Sequence, residues 1–292
     1  MLRRLPFLLA SLLLLAATTH RGAEAPSFRT LSGELEGARW TALVPDAWDG
    51  RLLLEAPDCL RAPEPLAAVL NAAAPVTSEL LANGWAVATT SYRRHGPLIA
   101  DGITDLRSLR EHLAAELGQP TLTLIEGTGM GGLIAIFIAE RHADEFHGCL
   151  ALAPQLDLRD PRALRLRCDH QPRAPLLLLS PPGTVEPVQT YIARARATAN
   201  AESVVPVFWF APAEPTPADA AAQRLAALAA MEEWARNRKA PEERPVPPPS
   251  PEPEPTAAPA DAETPVSEAA PEGSPPVEAL GAATTAAPES AP

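Results

Sequence analysis

The chain has 292 residues, of which 46% are hydrophobic and 35 are proline, and its formal net charge is −12. This length allows one domain of ordinary size together with a segment that contributes nothing to a hydrophobic core. The ten acids and one base between Pro241 and Pro292 account for −9 of the charge, which leaves only −3 for the rest of the chain. Because the sequence has no basic patch, the composition argues against nucleic acid as a partner.

The first 25 residues have the pattern of an export signal. Arg3 and Arg4 precede an apolar run from Leu5 to Ala17, which is too short to span a bilayer comfortably. The segment Ala23-Glu24-Ala25 offers an A-x-A cleavage site. We therefore expect an exported protein, periplasmic or secreted, which contacts a membrane only through this signal if the signal stays uncleaved.

From residue 26 to residue 239, short apolar runs alternate with segments whose apolar residues are three or four positions apart. The runs predict strands at Leu31–Val44, Arg51–Ala56, Trp85–Thr90, Leu122–Ile125, Phe146–Ala153, Pro175–Leu179 and Val204–Phe210. The spaced segments predict helices at Pro65–Asn83 (broken at Pro75), Pro97–Leu117, Leu133–Glu140, Glu186–Asn200 and Asp219–Lys239. This alternation predicts an α/β domain with a mostly parallel sheet, helices on both faces, and ligands at the carboxyl ends of the strands.

The composition changes at Ala240. Fifteen of the 35 prolines lie at Pro241 and beyond, among alanine, glutamate, serine and threonine. Such a segment favours polyproline II conformation and cannot form a core. We therefore expect residues 240–292 to be a disordered, extended acidic tail.

A glycine-dense turn, Gly127-Thr128-Gly129-Met130-Gly131-Gly132, joins an apolar strand to a strongly apolar helix. Two kinds of site use this layout. One is the nucleophile elbow, in which a serine lies at the tip of a strained strand-to-helix turn. The other is the G-x-G-x-x-G phosphate turn of dinucleotide-binding proteins, which Gly127, Gly129 and Gly132 match.

Four segments resemble parts of one family. They are GELEGARWTALVPDAWDGRLLLEA at the opening strands, LLANGWAVATTSYRRHG before the central helices, EGTGMGGLIA at the elbow, and FAPAE with the helix that ends in EEWARNRKAP. From Gly33 to about Pro241 the chain resembles exported α/β-hydrolases of the serine esterase, lipase and peptidase type. The resemblance implies an α/β-hydrolase-like fold. Because the insertion Gln155–Arg173 is short, it also implies a minimal cap over an open, shallow pocket.

The resemblance places three catalytic positions on residues that cannot act. The nucleophile position is Gly129, the acid position is Thr184, and the histidine expected in the last strand is replaced by Val207. In this fold the order along the chain is nucleophile, acid, histidine. Since no histidine follows His170, the resemblance implies a degenerate triad.

The pocket positions implied by the resemblance lie in three loops. They are Pro57, Asp58, Ser91, Tyr92, Thr128 and Met130. Pro57 has no N–H to donate to an oxyanion, and the charge of Asp58 would repel one. Ser91, Ser180 and Thr128 carry hydroxyl groups near strand ends, but no base is evident beside them. Glu126 and Glu186 are the carboxylates that would have to serve as bases if another nucleophile were used.

The remaining motifs point to no cofactor. The dinucleotide hypothesis requires an acid at the end of the next strand to hold the ribose, and the nearest one is Asp157, beyond that end. Cys168-Asp169-His170 has no second ligand cluster, so we expect no metal. Among the three cysteines, Cys59 and Cys168 are the pair that we would expect to join if any disulfide forms, with Cys149 buried.

The sequence therefore predicts an exported pseudo-hydrolase that binds an unknown small molecule or protein and uses no cofactor. Two alternatives remain open. The first is an active esterase or peptidase with a displaced catalytic set. The second is a dinucleotide-binding protein that uses the glycine turn at 127–132.

Overall fold

The computed structural model describes residues 26–58, 63–157 and 167–247. The strands are β1 (Phe28–Leu35), β2 (Ala38–Pro45), β3 (Arg51–Ala56), β4 (Trp85–Thr90), β5 (Leu122–Thr128), β6 (Gly148–Leu152), β7 (Leu176–Ser180) and β8 (Val207–Phe210). The helices are α1 (Pro75–Ala82), α2 (Ile99–Leu117), α3 (Met130–Arg141), α4 (Val185–Thr198) and α5 (Pro217–Asn237), with a 3₁₀ turn at Pro182–Thr184.

The strands form one sheet of order β1-β2-β4-β3-β5-β6-β7-β8. The pairs from β4 to β8 are parallel, whereas β2 is antiparallel to both of its neighbours. The sheet is therefore mostly parallel, as the alternation of strands and helices predicts. Its central strand is β5, which carries the glycine turn at its carboxyl end.

Helices cover both faces of the sheet. One buried cluster packs the sheet against α2, α3 and α4, and Leu106, Ile134 and Ile192 are among its members. The other packs the opposite face against α1 and α5, and it includes Leu80 and Met231. The interior strands β3, β5, β6 and β7 are apolar toward both layers, because each face of these strands is covered. The predicted mostly parallel sheet with helices on both faces is confirmed.

Two predicted elements were wrong. The segment predicted as one strand, Leu31–Val44, is a hairpin that turns at Glu36-Gly37, where both residues have positive φ. Residues 65–74 are not helical, and α1 begins at Pro75 itself. A proline is well placed at the first helical position, where its missing N–H is not needed, so Pro75 starts a helix rather than interrupting one.

Several predictions fall on residues outside the described ranges. These are the signal at 1–25, Cys59, and residues 158–166 of the insertion that replaces a cap. Arg244, in the part of the chain that composition assigns to the tail, forms an isolated bridge with β8 in the structure, while 248–292 lie outside the described ranges. No helix within the described residues is long and apolar enough to cross a membrane.

Candidate functional site at the glycine turn

The turn after β5 has the geometry of an elbow. Gly129, at its tip, has φ 59° and ψ −116°, and α3 begins at the next residue. The backbone of the loop after β6 holds the tip from both sides: Gly129 N–H donates to Leu152 O at 3.1 Å, and Gln155 N–H donates to Gly129 O at 2.9 Å. Non-glycine residues rarely adopt this backbone conformation, which glycine tolerates without strain from a Cβ.

The other glycines of the turn are required by the close approach of α3 to β3 and β5. A Cβ on Gly131 would lie 2.0 Å from Ala56 O, and a Cβ on Gly127 would lie 2.3 Å from the carbonyl carbon of Gly131. Gly131 belongs to the elbow pattern G-x-S-x-G-G but not to the phosphate pattern formed by residues 127, 129 and 132. The geometry therefore favours the elbow interpretation over the phosphate turn.

The carboxylate of Asp58 lies directly against the tip of the elbow. Its Oδ1 accepts a hydrogen bond from Met130 N–H at 2.9 Å. A Cβ on Gly129 would be only 2.6 Å from Asp58 Oδ2. In hydrolases with an elbow, the N–H of the residue after the nucleophile helps to form the oxyanion hole. Here the equivalent N–H is already bonded to an anion of the same chain.

An ion-pair network lies beside the elbow, on the face of the sheet that α5 covers. Glu55 and Glu126 are in register at the ends of the adjacent strands β3 and β5. Arg224 reaches them from α5: its Nε donates to both oxygens of Glu126, at 3.0 and 2.9 Å, and its Nη2 donates to Glu55 Oε1 at 2.7 Å. Glu126 is only 2% exposed, so the guanidinium compensates a buried charge.

The environment shifts the pKa of two members of this network. Burial and the neighbouring charge of Glu126 raise the pKa of Glu55, against the opposing effect of Arg224. Burial alone would lower the pKa of Arg224, but hydrogen bonds and charges from Glu126 and Glu55 raise it above its usual value. The guanidinium therefore stays charged and anchors both carboxylates.

A cavity of about 220 Å³ lies between the elbow and this network. Its lining comprises Glu55, Ala56, Pro57, Asp58, Val69, Thr89, Glu126, Gly127, Thr128, Leu152 and Arg224. A second cavity, of about 370 Å³, shares Pro57, Val69 and Thr89 with the first and is also lined by Glu64, Pro65 and Ala67. The two form a cleft at the carboxyl ends of the strands, where ligands bind in sheets of this kind.

The structure brings together only some of the predicted pocket positions. Pro57, Asp58 and Thr128 line the cavity. Ser91 is buried away from it, where its hydroxyl donates to Tyr92 O at 2.8 Å and accepts from Arg39 N–H at 3.1 Å. The Tyr92 hydroxyl donates to Pro57 O at 2.9 Å, so Tyr92 supports the loop that carries Asp58. The Met130 side chain is buried, and only its backbone N–H faces Asp58.

The positions aligned with the acid and the histidine are not part of this cavity. Thr184 ends the 3₁₀ turn after β7, and its hydroxyl donates to Pro181 O at 3.2 Å. Val207 is the first residue of β8 and is buried in the core beneath α5. The loop that follows β8 at the carboxyl edge of the sheet starts at Ala211, four residues further on. None of the histidines in the described residues lines the cavity.

The backbone of the Cys168-Asp169-His170 segment donates hydrogen bonds to the buried carboxylate of Glu140. Asp169 N–H and His170 N–H donate to that carboxylate at 2.8 and 2.9 Å, and the Tyr191 hydroxyl donates to it at 2.8 Å. Cys168 is a free thiol in the structure, and burial raises its pKa to about 12. Within the described residues no group of three or more histidine, cysteine or acidic side chains could hold a metal ion.

Together, the strand order and the elbow after β5 are those of an α/β-hydrolase-like fold, and comparison with known structures places the chain in the same class. The esterase Pf2001 of Pyrococcus furiosus matches 72% of this chain and 93% of its own, with a TM-score of 0.52 and 16% sequence identity. A Bacteroides ovatus protein assigned as a dipeptidyl aminopeptidase IV matches 73% of this chain, with a TM-score of 0.55 and 14% identity. This chain spans only 36% of that longer protein. No family model and no curated protein sequence matches the chain.

Two members of the ion-pair network, Glu55 and Arg224, were not singled out from the sequence. Glu126 was singled out from the sequence, but as a carboxylate that could act as a base and not as one that binds an arginine. The sequence did contain one indication of the network. Glu55 and Glu126 each lie near the end of a buried apolar strand, where a charged side chain requires a partner. The identity of the partner could not be read, because Arg224 is 98 residues from Glu126 along the chain.

Proposed function

We propose that this chain is an exported protein of the α/β-hydrolase fold that has no hydrolytic activity and acts by binding a small molecule or a protein at the elbow cleft. The observation that carries the proposal is the position of the Asp58 carboxylate. It lies where a nucleophile side chain on residue 129 would begin, and it accepts the N–H that would otherwise stabilise an oxyanion.

Three chemical requirements of serine hydrolysis are missing at this site. Gly129 has no nucleophilic side chain. A fixed negative charge beside the Met130 N–H opposes the negative charge that develops on a tetrahedral intermediate. No histidine follows His170 in the sequence, so the last strand and helix supply no general base of that type. Arg224 engages Glu126 through both carboxylate oxygens, so this carboxylate is held by a cation rather than poised as a base.

The cleft itself supports binding rather than a purely structural role. It is open at the carboxyl ends of the strands and combines charged groups with the apolar side chains of Val69 and Leu152. Val69 is 75% exposed and adds apolar surface beside the charged groups of the cleft. Pockets that bind small molecules typically pair apolar walls with a few fixed polar groups.

A fluorophosphonate probe and an activated ester test the loss of activity. The full chain, an active serine esterase and a heat-denatured sample of each are incubated with the probe and analysed by mass spectrometry. We expect labelling of the esterase only, and no ester turnover above background by this chain. Saturable labelling of Thr128, Ser91 or Ser180 in the folded chain would instead support an active enzyme with a displaced catalytic set.

Export is tested by the N-terminus of the mature protein. Because Arg3, Arg4 and the following apolar run form a signal pattern, we expect the mature chain in its native host to begin between Thr18 and Pro26. N-terminal sequencing of the protein from the cell envelope or the medium measures this. Recovery of the full-length chain from the cytoplasm alone would contradict the proposal.

A further inference from the structure

His147 immediately precedes β6 and is bonded to the start of β5 at the amino ends of the strands. Its backbone N–H donates to Thr123 O at 2.9 Å, and its ring Nδ1 accepts from Thr123 N–H at 3.0 Å. Because Nδ1 is an acceptor, the neutral ring carries its proton on Nε2. His147 is exposed, so its ring presents a donor of fixed orientation to molecules in solution.

Helix α2 brings an arginine to this end of the sheet. Arg107 donates through Nε to both oxygens of Glu145, at 2.8 and 2.9 Å, so this part of α2 lies against the loop that leads to His147. Arg110 follows one turn later on the same side of the helix. In contrast to Arg107, Arg110 forms no ion pair with any described residue, and its Nε is buried without a hydrogen-bond partner.

Thr123 has an unpaired polar atom on the same side of the sheet. Ile125, two residues further along β5, packs in the buried cluster that α2 and α3 form with the sheet, and side chains two positions apart in a strand share a face. Thr123 is 0% exposed, and its hydroxyl oxygen is buried without a partner. Buried polar groups are nearly always hydrogen-bonded in folded proteins. The protein itself therefore leaves two polar groups unsatisfied at the place where α2 meets the start of β5.

The end of α5 adds a third cationic side chain. A Cβ on Gly148, the residue after His147, would lie 3.9 Å from the Cβ of Ala235, so the last turn of α5 packs beside the start of β6. Arg238, three residues beyond Ala235, is the C-cap of the helix and is exposed. Within the described part of the chain its guanidinium has no carboxylate partner.

The charges that surround the His147 ring are positive. Partial desolvation lowers the pKa of His147, and the charges of Arg110 and Arg238 lower it further, against the opposing effect of the hydrogen bond at Nδ1. The acidic side chains nearby act instead on Arg107, which Glu145 binds through both oxygens. An anion from solution would therefore meet two arginines that no carboxylate of the described chain neutralises.

We propose that Arg110, His147 and Arg238, named here the amino-edge cluster, form a binding site for a phosphate-type oxyanion. The planar guanidinium of Arg110 suits two oxygens side by side, His147 Nε2–H donates to a third, and Arg238 balances the second negative charge. A carboxylate has only two oxygens and one charge, so it would leave one of these groups unused. The amino-edge cluster lies at the opposite end of the strands from the elbow cleft, and the proposal is independent of the function proposed for that cleft.

Titration of the full chain with inorganic phosphate at constant ionic strength tests the site, with the His147 ring resonances followed by NMR. We expect a saturable shift and a higher His147 pKa with phosphate bound, because the dianion stabilises the imidazolium. Arg110→Gln should raise the dissociation constant at least about tenfold, and the exposed Arg238→Gln about threefold. Arg29→Gln removes the same charge from an exposed site on β1, four strands from β5, and should leave the constant unchanged.

Further probes distinguish the chemistry of the ligand and its source. Acetate should bind at least about tenfold more weakly than phosphate. Saturable binding of inorganic phosphate supports a ligand in solution. Binding only to phosphatidylcholine vesicles that contain phosphatidic acid, lost in Arg110→Gln, supports the phosphate group of a lipid. The resonances of the other histidines report whether each variant is folded.

Three results would overturn the proposal. The first is that neither phosphate nor the phosphatidic acid vesicles bind saturably to the wild type. The second is that Arg29→Gln weakens binding as much as Arg110→Gln does, which would show a general effect of net charge. The third is that acetate binds as tightly as phosphate, which would show that the site does not recognise a tetrahedral dianion.

Discussion

The carboxylate of Asp58 accepts a hydrogen bond from the backbone N–H of Met130 at 2.9 Å, although the two residues are 72 positions apart in the chain. Met130 is the first residue of α3, and Gly129 before it makes no side-chain cap. Asp58 therefore provides from another loop the acceptor that a helix N-terminus needs, and its charge is favourable there because of the helix dipole. The same hydrogen bond occupies the Met130 N–H that would otherwise bind an oxyanion at the elbow.

The first prediction concerns this contact. Asp58→Ala should lower the free energy of unfolding by about 1 kcal/mol, as the loss of a helix cap does. Asp58→Asn keeps an oxygen acceptor without the charge and should lose roughly half as much. Urea unfolding of both variants measures the difference, with the exposed Asp46→Ala as control. An asparagine variant as unstable as the alanine variant would show that the acceptor atom does not matter.

The second prediction concerns the tip of the elbow. Gly129→Ser should destabilise the protein by about 1–2 kcal/mol through backbone strain alone. The clash with Asp58, 2.6 Å from the new Cβ, should add to this cost. Adding Asp58→Ala should therefore recover part of the loss, a coupling that denaturant unfolding of the double-mutant cycle measures.

Two glycines provide controls for Gly129→Ser. Gly96 has φ 102° and nothing within 4 Å of an added Cβ, so Gly96→Ser tests positive φ without a clash. Gly183 has open space and no positive φ, so Gly183→Ser should be nearly neutral. Neither Gly129→Ser nor its combination with Asp58→Ala should hydrolyse an activated ester, because a serine hydroxyl requires a base. Turnover well above background would mean that a base is present near residue 129.

The third prediction concerns the buried ion pair. Arg224→Ala leaves the Glu126 carboxylate buried without a cation, which should cost about 3–5 kcal/mol of stability. Arg224→Ala combined with Glu126→Gln removes the more deeply buried of the two carboxylate charges that Arg224 compensates and should recover part of that loss. Arg236→Ala, on an exposed part of the same helix, is the control and should cost less than about 1 kcal/mol. Equal losses for the single and the double variant would show that Arg224 acts through packing alone.

The fourth prediction concerns the pH dependence of stability. Burial and Glu126 raise the pKa of Glu55 in the folded chain above its usual value of 4.5, so the folded state binds this proton more tightly than the unfolded state. The contribution of Glu55 to stability is therefore largest at low pH and falls as pH rises through the window from the unfolded to the folded pKa. Glu55→Gln removes this titration.

Accordingly, the stability of Glu55→Gln relative to wild type should increase with pH above about 4.5 and then level off. Chemical unfolding at a series of pH values between about 4 and 8 measures the difference, and Glu186→Gln removes an equal charge from an exposed site as control. A relative stability of Glu55→Gln that decreases over this range would contradict the direction of the shift.

Local patterns in the sequence were sufficient to predict a strand or helix wherever the residues of one segment determine its secondary structure. Six of the seven predicted strands and four of the five predicted helices have counterparts in the structure, close to the expected boundaries. The failures lie where local signals are weak. Glu36-Gly37 turns a polar stretch back on itself. Residues 65–74 contain alanine and leucine at helical spacing but form no helix, and Pro65, Ala67 and Val69 line the cleft.

By itself, the sequence determined that a glycine-dense turn joins an apolar strand to an apolar helix, that residue 129 has no side chain, and that no histidine follows His170. These are properties of composition and order. Only the tertiary structure decided that Asp58 contacts Met130, that Arg224 neutralises Glu126, and that Arg244 covers Trp209. Each contact joins residues more than 30 positions apart, and its existence depends on which strands are neighbours and which backbone groups are left at their ends. That arrangement is set by packing of the whole sheet between its two helical layers, which no local pattern encodes.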